Sequence, residues 1–376
     1  MYYIYLTLPQ NILIIFPALL VLLIPAINRR YFFCTDVNVV AAKLPKSKHI
    51  GVEDARYQFY DFLKGIGMLA VVAIHVTYIY KNNIVLYNRE NSYYHVNNFI
   101  NNFSRFTIPF FLLISGILLR PFAMQKVAIY DFYKKKLLRL IPPYILCVIA
   151  IHWDKPISEI WSLGITGKAD VPYYFMLVLF QCYFLYPLLL FLKKTPRFTL
   201  NIILIISVVS AIYPYFWNLY EFPLCLKYLF FFAYGAYARE YFINYEKSKN
   251  IDFWVWIFFI IYYLSYILFF SNYYYNTRFF WGPAAFHLVF YFRDFIINFK
   301  IANRFFSFIG KFSLWIFLIH YQILLMFKKY FEQMDYSFYM QQLYALLATF
   351  FVSVIISCLL DLGYSKISRP FLKRNI

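Results

Sequence analysis

Apolar runs of membrane-spanning length recur from one end of this chain to the other, and its lysines and arginines gather in the gaps between them. Inside a bilayer only a helix or a closed barrel satisfies its own backbone, and a run of about 20 apolar residues is the helical signature. Charged residues make up 14% of the 376, against roughly a quarter in a soluble domain. The sequence therefore predicts an all-α, polytopic membrane helix bundle.

Residues 7–28 form the first run. No lysine or arginine precedes it and Arg29–Arg30 follow it, which predicts an uncleaved anchor with the N-terminus outside. Ten further spans follow at about 59–80, 101–119, 139–153, 172–192, 199–217, 224–241, 253–271, 279–297, 308–327 and 341–364. The loops 29–58, 120–139, 193–198, 239–250, 298–307 and 365–376 carry 24 basic residues, while the opposite loops carry 7. Basic loops stay in the cytoplasm, so this separation predicts eleven spans with the C-terminus inside. The chain divides into an N-terminal anchor and cytoplasmic connector, 1–58, and a ten-span domain, 59–376.

The net charge of +19 follows from those loops and sets topology. With no basic stripe of interleaved stacking aromatics apart from the spans, nucleic acid is not an expected partner. The five cysteines are scattered and form no CxxC pair, so they read as small buried residues. No internal repeat suggests the paired halves of a transporter.

Within this apolar background the polar residues stand out. The stretch RYQFYDFLKGIGMLAVVAIHVTYIY, 56–80, opens on Arg56, Asp61 and Lys64 and contains one histidine, His75. On a helix rising ~1.5 Å per residue, His75 lies roughly 21 Å from Asp61, deep in a core of about 30 Å. Such a residue costs free energy to keep, so it is either satisfied by a neighbouring helix or functional. Arg105, one turn before Pro109, fits a snorkelling interface cation or a polar pocket. Lys134, Lys135, Lys136 and Arg139 crowd the mouth of the span before Pro142 and Pro143. Lys136 and Arg139 share a helical face, a geometry that suits phosphates; topology alone also selects basic residues there. His287 and His320 fall at a depth similar to that of His75. No partner shows metal-ligand spacing, so no metal is expected, and a pocket handling protons or acyl groups fits the three histidines better. His95 and His152 read as outer-loop residues.

The segment RYQFYDFLKGIGMLAVVAIH (56–75) resembles the opening signature of the acyltransferase family 3 membrane proteins. SRFTIPFFLLISGILL (104–119), KKLLRLIPPY (135–144), YYFMLVLFQCYFLYPLL (173–189) and IGKFSLWIFLIH (309–320) resemble further segments of that family, in order. The ten spans from residue 59 match its ten-helix core. The resemblance implies a bacterial cytoplasmic-membrane enzyme that takes an acyl group, usually acetyl from acetyl-CoA, to a hydroxyl of an envelope polysaccharide or lipid-linked sugar. It further implies His75 as catalytic histidine with Asp61 and Arg56, Lys136, Arg139 and Lys64 around the coenzyme A phosphates, and Arg105, His320 and His287 lining the acceptor pocket. Lys136 and Lys64 depart from the family's usual arginines and lose the bidentate fork; the span at 7–28 is additional. The chemistry stands without the name. A neutral imidazole suits removal of a hydroxyl proton, and a site closed to water protects an activated acyl group. The competing readings are an exporter or flippase of an exopolysaccharide system and a non-catalytic scaffold.

Overall fold

The computed structural model describes residues 50–81, 92–212, 224–243, 278–334 and 336–373, with positions 256 and 260. Every regular element among them is helical. In chain order these are α1 (Ile50–Lys81), α2 (Ser92–Ser104), α3 (Thr107–Ile117), α4 (Lys126–Ile151), α5 (Ile157–Thr166), α6 (Tyr174–Leu192) and α7 (Pro196–Ile212). A 3-10 turn (Cys225–Tyr228) leads to α8 (Leu229–Tyr237), α9 (Arg239–Ile243), α10 (Arg278–Tyr291), α11 (Arg293–Asn298), α12 (Lys300–Lys311), α13 (Ser313–Phe331) and α14 (Phe338–Lys373).

Three segments are long and apolar enough to cross a bilayer: Gln58–Tyr80, Tyr174–Leu192 and Phe338–Lys366, with mean hydropathy 1.8, 2.1 and 2.5. They coincide with the expected spans 59–80, 172–192 and 341–364. A fourth arises if α12 and α13, bent by 79°, form one broken span, where the sequence suggests a straight one at 308–327. The expected spans 7–28 and 253–271 lie outside the described residues.

Two differences from the sequence reading have a local cause. The expected span 101–119 is broken into α2 and α3 at Arg105–Phe106. Pro109 has no N–H for the carbonyl of Arg105 and its ring would collide with that oxygen, so one continuous helix is disfavoured and Pro109 sits in the first turn of a new one. The basic segment 126–139 is the first half of α4, which runs on through Pro142 and Pro143. Pro142 leaves the carbonyl of Leu138 without its helical donor, and the Tyr364 hydroxyl on α14 donates to that oxygen instead.

The chain sorts into two compact units. Among the described residues, the first holds 60–81, 92–107, 125–177, 300–334 and 336–373. Here α13 and α14 pair antiparallel, with Phe331 against Tyr344 at one end and Trp315 against Tyr364 at the other. The middle of α1 crosses α12 backbone to backbone. A Cβ on Gly310 would stand 1.7 Å from the oxygen of Asp61, and one on Gly65 would stand 2.0 Å from that of Phe306. Hydrocarbon gives helices little hydrophobic reason to associate, so such close contacts carry much of the attraction. Gly167, at φ 67°, ends α5 in a left-handed turn, and the chain turns to Tyr173, whose hydroxyl donates to Leu318 on α13 at 2.7 Å.

Among the described residues, the second unit holds 50–59, 108–124, 178–212, 224–243 and 278–299, with positions 256 and 260. It uses the same device: a Cβ on Gly116 would stand 2.2 Å from the Phe232 oxygen, and one on Gly235 would stand 2.1 Å from that of Leu113. Phe242, Phe286 and Phe290 pack edge to face or stacked, and the buried Arg293 guanidinium lies over Phe59 and Phe290.

Candidate active site

His75 is half-buried on α1. Its ring centroid lies 5.2 Å from that of His320 and 5.2 Å from that of Tyr321, both on α13. His320 is fully buried. Its Nδ1 lies 3.0 Å from the carbonyl of Ile316 and 2.9 Å from that of Phe317. Carbonyl oxygens only accept, so Nδ1 carries the proton and donates. In the neutral ring Nε2 then holds a lone pair. That nitrogen is buried and has no hydrogen-bond partner among the described residues. The sequence reading puts the two histidines at a similar depth; the fold sets them side by side and orients one of them as an acceptor.

Arg105 stands in the turn between α2 and α3, and its Nε donates to Asn101 Oδ1 at 2.9 Å. The Asn101 amide donates to the carbonyl of Ile74 and to Thr77 Oγ1, each at 2.9 Å. Thr77 donates on to Ala73 at 2.7 Å. Arg105 is thereby tied through Asn101 to the turn of α1 that carries His75. Asn101 is a residue the sequence reading passed over. Its spacing of four from Arg105, which puts both on one helix face, is the signal that could have found it.

Asp170 is a second such residue. It is buried in the turn before α6 and accepts from the Val171 N–H at 2.8 Å and from Gln322 Nε2 at 3.1 Å. Gln322 lies two residues beyond His320. Burial raises the Asp170 carboxyl above the usual aspartate range, opposed by those two hydrogen bonds and by nearby His152. His152, at the end of α4, bonds through Nε2 to the carbonyl of Ala169 at 2.8 Å. No local pattern announces a contact between residues so far apart in sequence.

At the other end of the α1 span, Lys64 Nζ pairs with Asp61 Oδ1 at 2.9 Å, one turn apart. Half-buried Lys136 joins this neighbourhood from α4. Burial first, then the charges of Arg139 and Lys64, bring its ammonium down to about 8. Two further cations near enough to disfavour the charge on Lys136 make a site that gains from an anion. Arg139 is exposed on the same helix. The side chain of Arg56 lies outside the described residues. His287 belongs to the second unit, where it is buried and its Nε2 lies 3.1 Å from the Tyr234 hydroxyl. Among the described residues no group of three or more His, Cys, Asp or Glu is arranged to hold a metal ion.

A family model described as an acyltransferase domain, the third acyltransferase family, matches residues 57–362. No curated protein and no solved structure matches the chain. The matched stretch contains His75, Arg105, Lys136, Arg139 and His320, together with Asn101, Asp170 and Gln322.

Proposed function

The chain belongs to the acyltransferase 3 family of membrane acyltransferases, and from that premise we propose that it is an O-acyltransferase of the cell envelope. In this reading it moves an acetyl or similarly small acyl group from acyl-CoA to a hydroxyl of a polysaccharide or lipid-linked sugar. The donor enters from the cytoplasmic side at Lys64, Lys136 and Arg139, and the ten-helix core sits in the bacterial inner membrane with its C-terminus inside. The asymmetry of 24 basic residues against 7 in alternate loops supports that orientation.

The observation that carries the reading is the imidazole pair. A sugar hydroxyl is a poor nucleophile until its proton is drawn off, and a neutral imidazole suits the task. His75 is partly accessible, and among the described residues nothing hydrogen-bonds its ring. His320 stands beside it with Nδ1 held on two carbonyls and Nε2 left as an acceptor. As the acceptor oxygen attacks the thioester carbon, its proton passes to an imidazole, the C–S bond breaks, and the departing thiolate takes up a proton to become CoA-SH. The link from Arg105 through Asn101 to Ile74 holds the His75 turn in place. Asp61 keeps Lys64 oriented at the mouth.

The test is the O-acetyl content of surface glycan in cells carrying wild type, His75→Ala or Arg139→Ala at matched protein levels. His75→Ala should lower transfer by about 10²- to 10⁴-fold, the contribution of a general base. Arg139→Ala should raise the donor KM by roughly 10- to 100-fold, as expected for a lost hydrogen bond to a charged group. Loss of the surface glycan itself, with its acetylation unchanged, would instead support an export role and sink this reading.

A further inference from the structure

Helix α12 is built inside out. It buries Asn303 and Ser307, which hydrogen-bond to each other at 3.0 Å, together with Ile309 and Gly310. It exposes Ile301 at 81%, Phe308 at 49% and Phe305 at 44%. Those three positions are spaced by four and three and so share one face. Lys300, Arg304 and Lys311 are exposed as well, and at spacings of four and seven they form the adjoining flank. The sequence KIANRFFSFIGK contains no acidic residue. A bend of 79° then separates α12 from the apolar α13. If α13 crosses the bilayer, α12 lies close to its plane.

Aromatic and aliphatic side chains beside a basic flank are what a helix needs to rest at the boundary between headgroups and acyl chains. Each lysine or arginine near an anionic surface adds about 1 kcal/mol, a preference of about fivefold. We propose that α12 is a docking strip for anionic phospholipid headgroups, and that their binding braces the mouth of the donor site. The bracing runs through backbone: Gly310 lies against Asp61, and Gly65, the residue after Lys64, lies against Phe306. Any shift of α12 therefore moves the turn holding the Asp61–Lys64 pair. This second clause rests on the proposed acyl-CoA site, whereas the docking does not.

The test uses the full chain in nanodiscs and in vesicles of phosphatidylcholine with or without phosphatidylglycerol. Native mass spectrometry should find phosphatidylglycerol retained severalfold over phosphatidylcholine. The preference should fall in K300Q/R304Q/K311Q and persist in the charge-keeping K300R/R304K/K311R. Phe308→Trp should add fluorescence that lipids brominated near the headgroup quench more than lipids brominated deep in the chain. Docking is overturned if the neutralised variant keeps the full preference or if the added tryptophan is not quenched. The donor KM should rise severalfold in pure phosphatidylcholine for wild type and change little for the neutralised variant. A KM independent of lipid, with the binding preference intact, would overturn the bracing alone and leave the docking standing.

Discussion

Replacing Lys136 with arginine should remove a pH dependence of donor binding that the wild-type protein carries. Burial, then Arg139 and Lys64, hold Lys136 at about 8, where an ordinary lysine titrates near about 10.4. About nine-tenths of the ammonium is therefore present at pH 7 and about a tenth at pH 9. If that ammonium contacts a donor phosphate, the KM for acyl-CoA climbs above pH 8 toward about tenfold per unit. Arginine keeps its charge throughout this range, so Lys136→Arg should give a flat line. Stability runs in the opposite direction. The folded value lies below the unfolded one, so between about 8 and about 10.4 the unfolded chain holds the extra proton, and stability rises with pH across that window. The cost of the buried charge is fully present below about 8. Initial rates of CoA thiol release in nanodiscs from about pH 6.5 to about pH 9.5 measure the first slope, and thermal scans without donor measure the second. A wild-type KM flat across this range, or an equal slope in Lys136→Arg, would refute the assignment of Lys136 to the donor.

Two further substitutions probe the deeper site. His320→Asn can keep a donor near Ile316 and Phe317 while deleting the Nε2 lone pair, so the protein should fold and lose about 10²-fold or more in kcat; retention of wild-type kcat would remove His320 from the chemistry. Asn101→Leu strands the Arg105 Nε–H and should cost about 1–3 kcal/mol in stability, read as a lower melting temperature in detergent. It should also lower kcat while leaving the donor KM unchanged, and a change in KM alone would show that the Arg105 link does not hold the His75 turn.

The all-helical character of the described residues, three of the spans and the family were legible in the chain, because each is written in local composition. Twenty apolar residues in a row have few alternatives, and the 56–75 signature is contiguous. The break at Arg105 was also within reach, since Pro109 marks it four residues ahead, yet the apolar run around it favoured an unbroken span. The helical course of 126–139 was hidden by its lysines, which suit a loop by charge and a helix by propensity alike. The bend between α12 and α13 left one trace: the apolar positions 301, 305 and 308 in a helix that also carries five polar or basic residues.

By itself the sequence determined that the chain must live in a membrane, which loops carry the positive charge, and that basic residues crowd the segment before Pro142 and Pro143. These are sums over neighbours in the chain, and hydrocarbon enforces them wherever the helices end up. Only the tertiary structure decided that His320 rather than a lipid meets His75, that Asn101 joins Arg105 to Ile74, and that Gln322 reaches Asp170. Each of those depends on the carbonyls, lone pairs and ring faces of partners brought from other helices. Directional contacts of that kind exist only once the backbones have packed to within an atom's width, as Gly310 has against Asp61.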